Sequence, residues 1–197
     1  VASNAFREEF PKAVAERWRS LVREHAGTES WEGFPEEEDG LYCRYGTTLL
    51  AAMAWRDLLL LGQIGDGDLL LKSPGEAIER VFPPNPASMG FETHSLSSEQ
   101  APSLWRVQVR PLVGGQRVIL ATDGLSDSFA GERDFFKFAG DLLDRCDQYP
   151  FGAVAAELPV WLRKCSEGGS GDDITLVVAG FGTPPLQAES GAPPAGA

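Results

Sequence analysis

Three aspartates in this 197-residue chain stand beside glycine at the ends of apolar runs. They lie in Gln63-Ile64-Gly65-Asp66-Gly67-Asp68, in Ala121-Thr122-Asp123-Gly124-Leu125-Ser126-Asp127, and in Gly169-Ser170-Gly171-Asp172-Asp173-Ile174-Thr175. Taken singly, each reads as an ordinary turn, because Asp-Gly accepts positive φ and makes local hydrogen bonds. Taken together they suggest a shared site. Strand ends in a packed sheet gather at one rim, and glycine lets a backbone or an ion approach closely. Carboxylates crowded there would repel one another by about 4 kcal/mol per pair, at roughly 4 Å and an effective dielectric near 20. A divalent cation reverses that sign. All-oxygen ligation without His or Cys favours Mg²⁺ or Mn²⁺, leaves Ca²⁺ open and disfavours zinc. Two such ions about 3.5–4 Å apart can acidify a water and hold a phosphoryl group for in-line attack.

The elements that must hold these aspartates follow from periodicity. Phe10 to His25 predicts a helix, with Val14, Trp18, Leu21 and Val22 on one face and Pro11 in its first turn. Gly27 to Gly40 reads as a solvated loop, with the acidic run Glu36-Glu37-Glu38-Asp39 on its surface. Tyr45–Trp55, Asp57–Ile64 and Leu69–Lys72 are short apolar stretches, read as strands joined by hairpin turns at Arg56-Asp57 and Gly65–Asp68. The Ala-Ala-Met-Ala of the first would suit a helix by propensity alone. Pro74 to Ser103 is expected to be loop-rich. Trp105–Pro111 and Arg117–Thr122 predict strands, Glu132–Cys146 and Ala153–Cys165 helices, and Ile174–Phe181 a last strand. Gly182 to Ala197 is rich in Pro, Gly and Ala, and reads as a disordered tail or linker. Hairpins flanked by grouped helices indicate an α+β fold rather than regular βαβ alternation.

Composition narrows the function. Lys+Arg total 17 against Asp+Glu 29, a net charge of -12, so polyphosphate would meet an acidic surface and nucleic acid is excluded as a partner. The apolar fraction of 43% supplies one sizeable core and rules out wholesale disorder. Cys43, Cys146 and Cys165 form no CxxC pair and leave an odd one over, which points to buried free thiols in a reducing compartment. With only His25 and His94 there is no HExxH metalloprotease motif. The longest apolar run is too short to span a bilayer and no signal-like segment opens the chain, so a cytoplasmic protein without membrane contact is expected.

Four ordered blocks, YGTTLLAAM, LLLLGQIGDGDLLL, VILATDGLSDSF and GSGDDITLVVAGF, resemble the protein phosphatase 2C family of metal-dependent Ser/Thr phosphatases. FETHSLSSE between the second and third fits a bacterial branch of that family. The resemblance spans roughly residues 10–182. It implies a four-layer α-β-β-α sandwich of two antiparallel sheets in a domain over 1–182, with 183–197 as the tail. It also implies a binuclear Mn²⁺ or Mg²⁺ site at one edge of the sandwich, and a phosphorylated protein as substrate of a monomeric enzyme. Asp123 of ATDG and Asp172 of GDDIT match carboxylates that ligate the second metal or hold its waters. Asp66 of IGDG matches an acid linked in some members to a third, weaker metal. Asp173 stands where many relatives carry Asn and is not expected to be a ligand. Asp68 and Asp127 are assigned to turns or to supporting hydrogen bonds.

The chain also departs from the family. The opening strand with a phosphate-gripping Arg, and the DGHG-like segment whose Asp bridges both metals, are not among these residues; Val1–Arg23 corresponds to a helix that follows them. No catalytic residue is therefore assigned, and weak or no activity is expected of this segment alone, with lower solubility than a longer chain carrying upstream strands. The alternative is a non-catalytic module that binds a phosphoprotein or partner on the same fold. A Ca²⁺-binding turn at GDGD is a poorer reading, since the D-x-[DN]-x-[DN]-G-x₅-E spacing is missing.

Overall fold

The computed structural model describes residues 2–28, 38–84 and 94–182. The first helix, α1, is longer than expected and runs from Ala2 to Thr28. Pro11 thus stands inside it rather than in its first turn, and is fully buried. A proline there forfeits one helix hydrogen bond, so the helix must be held by its packing. Phe6, Ala15 and Val22 are buried with it, whereas Leu21 faces solvent. A short helix α2 (Glu38–Arg44) occupies part of the expected loop, while Glu36 and Glu37 lie outside the described residues. Its buried Tyr42 explains why it forms: Arg23 Nη1 donates to the Tyr42 hydroxyl at 2.9 Å, and Trp18 lies against the ring.

Strands β1 (Leu49–Trp55) and β2 (Leu58–Ile64) form a hairpin with Trp55 opposite Leu58. Arg56 takes φ 55° in the two-residue connection, the left-handed conformation a tight hairpin requires. Pairing along all of β2 overrides the helix propensity of Ala51-Ala52-Met53-Ala54. After two short elements, β4 (Glu79–Arg80) and α3 (Ala101–Leu104), β5 (Arg106–Pro111) joins the other edge of β2. The Gly65–Asp68 turn is consequently not a hairpin. Both edges of β2 are taken, and β3 (Asp68–Lys72) pairs instead with β4 and β6 (Gln116–Ala121), so the chain changes sheets across this turn.

Two compact units result. The first comprises Val1–Gly67 and Phe82–Pro111, with the sheet β1-β2-β5. Its core joins Ala15 of α1 to Ile64, Leu96, Ala101 and Trp105. Gly62 leaves room for the indole: a methyl group there would lie 3.2 Å from the Trp105 ring.

The second unit comprises Asp68–Val81 and Leu112–Ala197, with strands in the order β4-β3-β6-β7, where β7 is Leu176–Phe181. Helices α4 (Asp123–Ser126), α5 (Glu132–Gln148) and α6 (Phe151–Gly168) belong to it. Phe135, Ala139, Leu142 and Cys146 form the buried stripe of α5 and pack with Leu70, Ile119 and Ala121 of the sheet. Glu132 and Asp134 in its first turn and Arg145 in its last suit the helix dipole. Helices with two antiparallel sheets make an α+β fold, as the sequence indicates. Residues 183–197, read as a tail, lie outside the described residues.

Candidate metal centre

Asp123 opens α4 directly after β6, and Asp172 lies in the loop from α6 to β7. Because β6 and β7 are adjacent and antiparallel, with Ala121 opposite Leu176, both aspartates fall at the same end of that strand pair. Thr122 extends the ladder: its N–H donates to the Thr175 carbonyl at 3.0 Å, and its hydroxyl accepts from the Thr175 N–H at 3.0 Å.

Gly124 lets the two segments meet. A methyl group on it would lie 2.9 Å from the Asp173 carbonyl oxygen and 3.1 Å from the Asp172 Cβ. Asp123 Oδ1 accepts from the Gly124 N–H at 2.9 Å, which turns that carboxylate back over the same glycine. Three serines hold the loop in place. Ser128 Oγ and Ser170 Oγ donate to the Gly124 carbonyl at 2.7 and 3.0 Å, and Ser166 Oγ donates to the Asp172 carbonyl at 2.8 Å. Ser170 Oγ also accepts from the Asp172 N–H at 3.2 Å. Both aspartates are exposed, so an ion from solvent can reach them.

Asp68, expected in a turn, is instead a buried residue of β3 opposite Ala121. Arg80 Nε lies 2.8 Å from its Oδ1, while Oδ2 has no hydrogen-bond partner. Burial pushes this carboxyl above its ordinary range; the Ser126 hydroxyl and Arg80 oppose the rise, and Asp127 and Asp123 add to it. The Arg80 guanidinium is itself held over the Phe135 and Phe136 rings, 5.4 and 6.0 Å from their centroids.

Asp66 belongs to the first unit. It is exposed on a turn fixed from beneath by Gln63, whose buried amide donates to the carbonyls of Gly65 and Gly67 at 3.1 and 2.5 Å. Gly65 has φ +103°, and a side chain there would collide with Thr48. Sequence reading missed Gln63, Arg80 and the serine set. Gln63 and Arg80 sit in runs whose period says nothing of a polar role, and serines in a Gly/Asp loop look like any turn.

The donor chemistry fits a hard divalent ion: Asp123 and Asp172 offer oxygen only, on adjoining backbone with a cradle at Gly124 that a Cβ would fill. Among the described residues, however, no cluster of three or more His, Cys, Asp or Glu side chains could by itself enclose a metal.

The family model for protein phosphatase 2C matches residues 2–163. No curated protein sequence matches the chain. Among solved structures, the chain is similar to the catalytic domain of the serine/threonine protein phosphatase PstP in complex with two manganese ions. That match has 21% identity and TM-score 0.52, over 87% of this chain and 82% of that one. The Mycobacterium tuberculosis serine/threonine phosphatase PstP/Ppp matches at 19% identity and TM-score 0.51, over 87% and 83%. PppA, a regulatory component of the type VI secretion system in Pseudomonas aeruginosa, matches at 22% identity and TM-score 0.52, over 86% and 66%. The chain belongs to the protein phosphatase 2C family and has the fold of its bacterial members.

Proposed function

We propose that this chain is a metal-dependent protein serine/threonine phosphatase domain acting on phosphoserine and phosphothreonine esters. The observation that carries the reading is the locking of Asp123 and Asp172 around Gly124, at one end of the β6–β7 pair. In this reading those two carboxylates hold Mn²⁺ or Mg²⁺, and Asp66 serves a further, weaker ion. When bound, such ions supply a water acidic enough to attack phosphorus near neutral pH, without a covalent enzyme intermediate. The chain's own part is to orient the carboxylates. Gly124 permits the close approach, Ser128 and Ser170 fix its carbonyl, and Ser166 anchors Asp172. No cysteine nucleophile is required, and the raised pKa values of Cys146 and Cys165 unsuit them to that role.

The substrate in this reading is a phosphorylated protein, and the compartment the cytoplasm. Among the described residues no helix is long and apolar enough to cross a membrane. A second reading, a non-catalytic module on the same fold, is favoured by one observation: no group of three potential ligands gathers among the described residues.

Calorimetric titration with Mn²⁺, paired with hydrolysis of a phosphothreonine peptide, separates the two. The phosphatase reading expects saturable Mn²⁺ binding that Asp123→Asn and Asp172→Asn each abolish, with weak Mn²⁺-dependent turnover lost in the same variants. Absence of Mn²⁺ binding by the wild-type chain would sink it. Binding without any turnover assigns the chain to the module.

A further inference from the structure

Asp68 is an ionisable group that the proposed metal chemistry leaves unused. It is 4% exposed at the start of β3, opposite Ala121, and the chain passes from Ala121 through Thr122 into Asp123. A carboxylate at that depth is costly unless partners hold it. Arg80 Nε lies 2.8 Å from its Oδ1, and that guanidinium is clamped in turn by Glu132 and by the Phe135 and Phe136 rings. The carboxylate is therefore fixed in place. Its other oxygen, Oδ2, is buried and has no hydrogen-bond partner.

Helix α4 lies against this fixed group. The Ser126 hydroxyl and the charges of Asp127 and Asp123 all act on the Asp68 carboxyl. The same hydroxyl donates to the Asp123 carbonyl at 3.1 Å. Ser126 thus reaches both the buried carboxylate and the main chain of a proposed metal ligand. A hydroxyl rotates freely, so the carboxylate offers its proton a second acceptor, and a charged one. The Gly124 carbonyl is braced separately, by Ser128 and Ser170. All of these residues belong to the second unit. With four residues, α4 has almost no rigidity of its own. The direction of Asp123 must come from contacts such as these.

We propose that Asp68 is a positioning residue, which holds α4 through Ser126 so that the Asp123 carboxylate faces the cation. The inference rests on the phosphatase reading, from which it takes Asp123 as a ligand. Asp68 stays on Arg80 and does not itself coordinate the ion. Groups behind a ligand commonly set metal affinity in this way, because they fix its orientation before the ion arrives.

Mn²⁺ calorimetry and urea unfolding, measured on the same full-chain variants, test the assignment. Ser126→Ala should weaken Mn²⁺ binding about tenfold, whereas Ser126→Thr, which keeps the hydroxyl, should bind like the wild-type chain. Asp68→Leu combined with Arg80→Met removes the buried pair together and should unfold near the wild-type urea concentration. It should nevertheless bind Mn²⁺ about tenfold more weakly. A purely structural ion pair would not separate stability from affinity. Wild-type affinity in Ser126→Ala or in the double variant overturns the proposal, as does equal weakening by Ser126→Thr and Ser126→Ala. Should the double variant unfold early, the two Ser126 variants decide alone. A wild-type chain that binds no Mn²⁺ removes the phosphatase reading and this proposal together; unchanged binding in the variants removes this proposal alone.

Discussion

At the scale of single residues, the contact between the Asp123 and Asp172 segments depends on Gly124 lacking a side chain. Its neighbours are a backbone carbonyl and a Cβ, neither of which can swing away as a long side chain would. Gly124→Ala should therefore lower stability by about 2 kcal/mol, read from urea unfolding, and push Asp172 away from Asp123. A change under about 0.5 kcal/mol, the range of ordinary surface substitutions, would show that the loop yields freely. The cysteines give a second test. The sequence suggests three buried thiols, but Cys43 is exposed, Cys146 buried and Cys165 intermediate. Burial raises the pKa of Cys146 and Cys165 from the ordinary 9.0, so their thiolate forms are scarcer at neutral pH than an open thiol's. Ellman's reagent at neutral pH should modify Cys43 rapidly and the other two slowly, with the slow phase accelerating as pH rises; three equal rates would contradict the packing. A free thiol is legible in a sequence, whereas its depth depends on which helix face meets the sheet.

At the scale of elements, Arg80 couples β3 and β4 to α5. It pairs with the largely buried Asp68, reaches Glu132 at 3.2 Å, and lies over Phe135 and Phe136. Removing one partner of a buried ion pair strands the other charge in low dielectric. Arg80→Ala should cost about 3 kcal/mol, whereas Arg80→Met with Asp68→Leu should recover most of it. Equal losses for the single and double variants, measured by chemical denaturation, would mean that the guanidinium acts through its ring contacts rather than through Asp68. This arrangement was hidden in the sequence. Asp68 follows Gly67 in what reads as a turn, and only the register of β3 against β6, Asp68 opposite Ala121, buries it. The helices and most strands were legible from their periods, and α5 keeps its apolar stripe as expected. The Gly65–Asp68 connection was not, because a hairpin and a passage between sheets use the same turn residues.

For the whole molecule, the acidic balance dominates behaviour in solution. With a net charge of -12 and a pI near 4.6, self-repulsion keeps copies apart at neutral pH and fades as carboxylates protonate. Turbidity across roughly pH 4 to 8 should peak near the pI and fall steadily above it. A maximum near neutrality would point instead to association through apolar surface, for which the exposed Trp55 and Met53 of β1 and Val177 of β7 are the places to look.

By itself the sequence determined the class of fold, the ordered blocks of the family and the three aspartates at strand ends, because these rest on local periodicity, turn chemistry and short motifs. Tertiary structure decided which of those aspartates share a neighbourhood. Asp123 and Asp172 are 49 positions apart (172 − 123) yet meet around one glycine, because β6 and β7 are hydrogen-bonded neighbours. Their serine braces, the depth of Asp68 and its arginine partner likewise arise from pairing between distant strands, a non-local choice that no window of residues encodes.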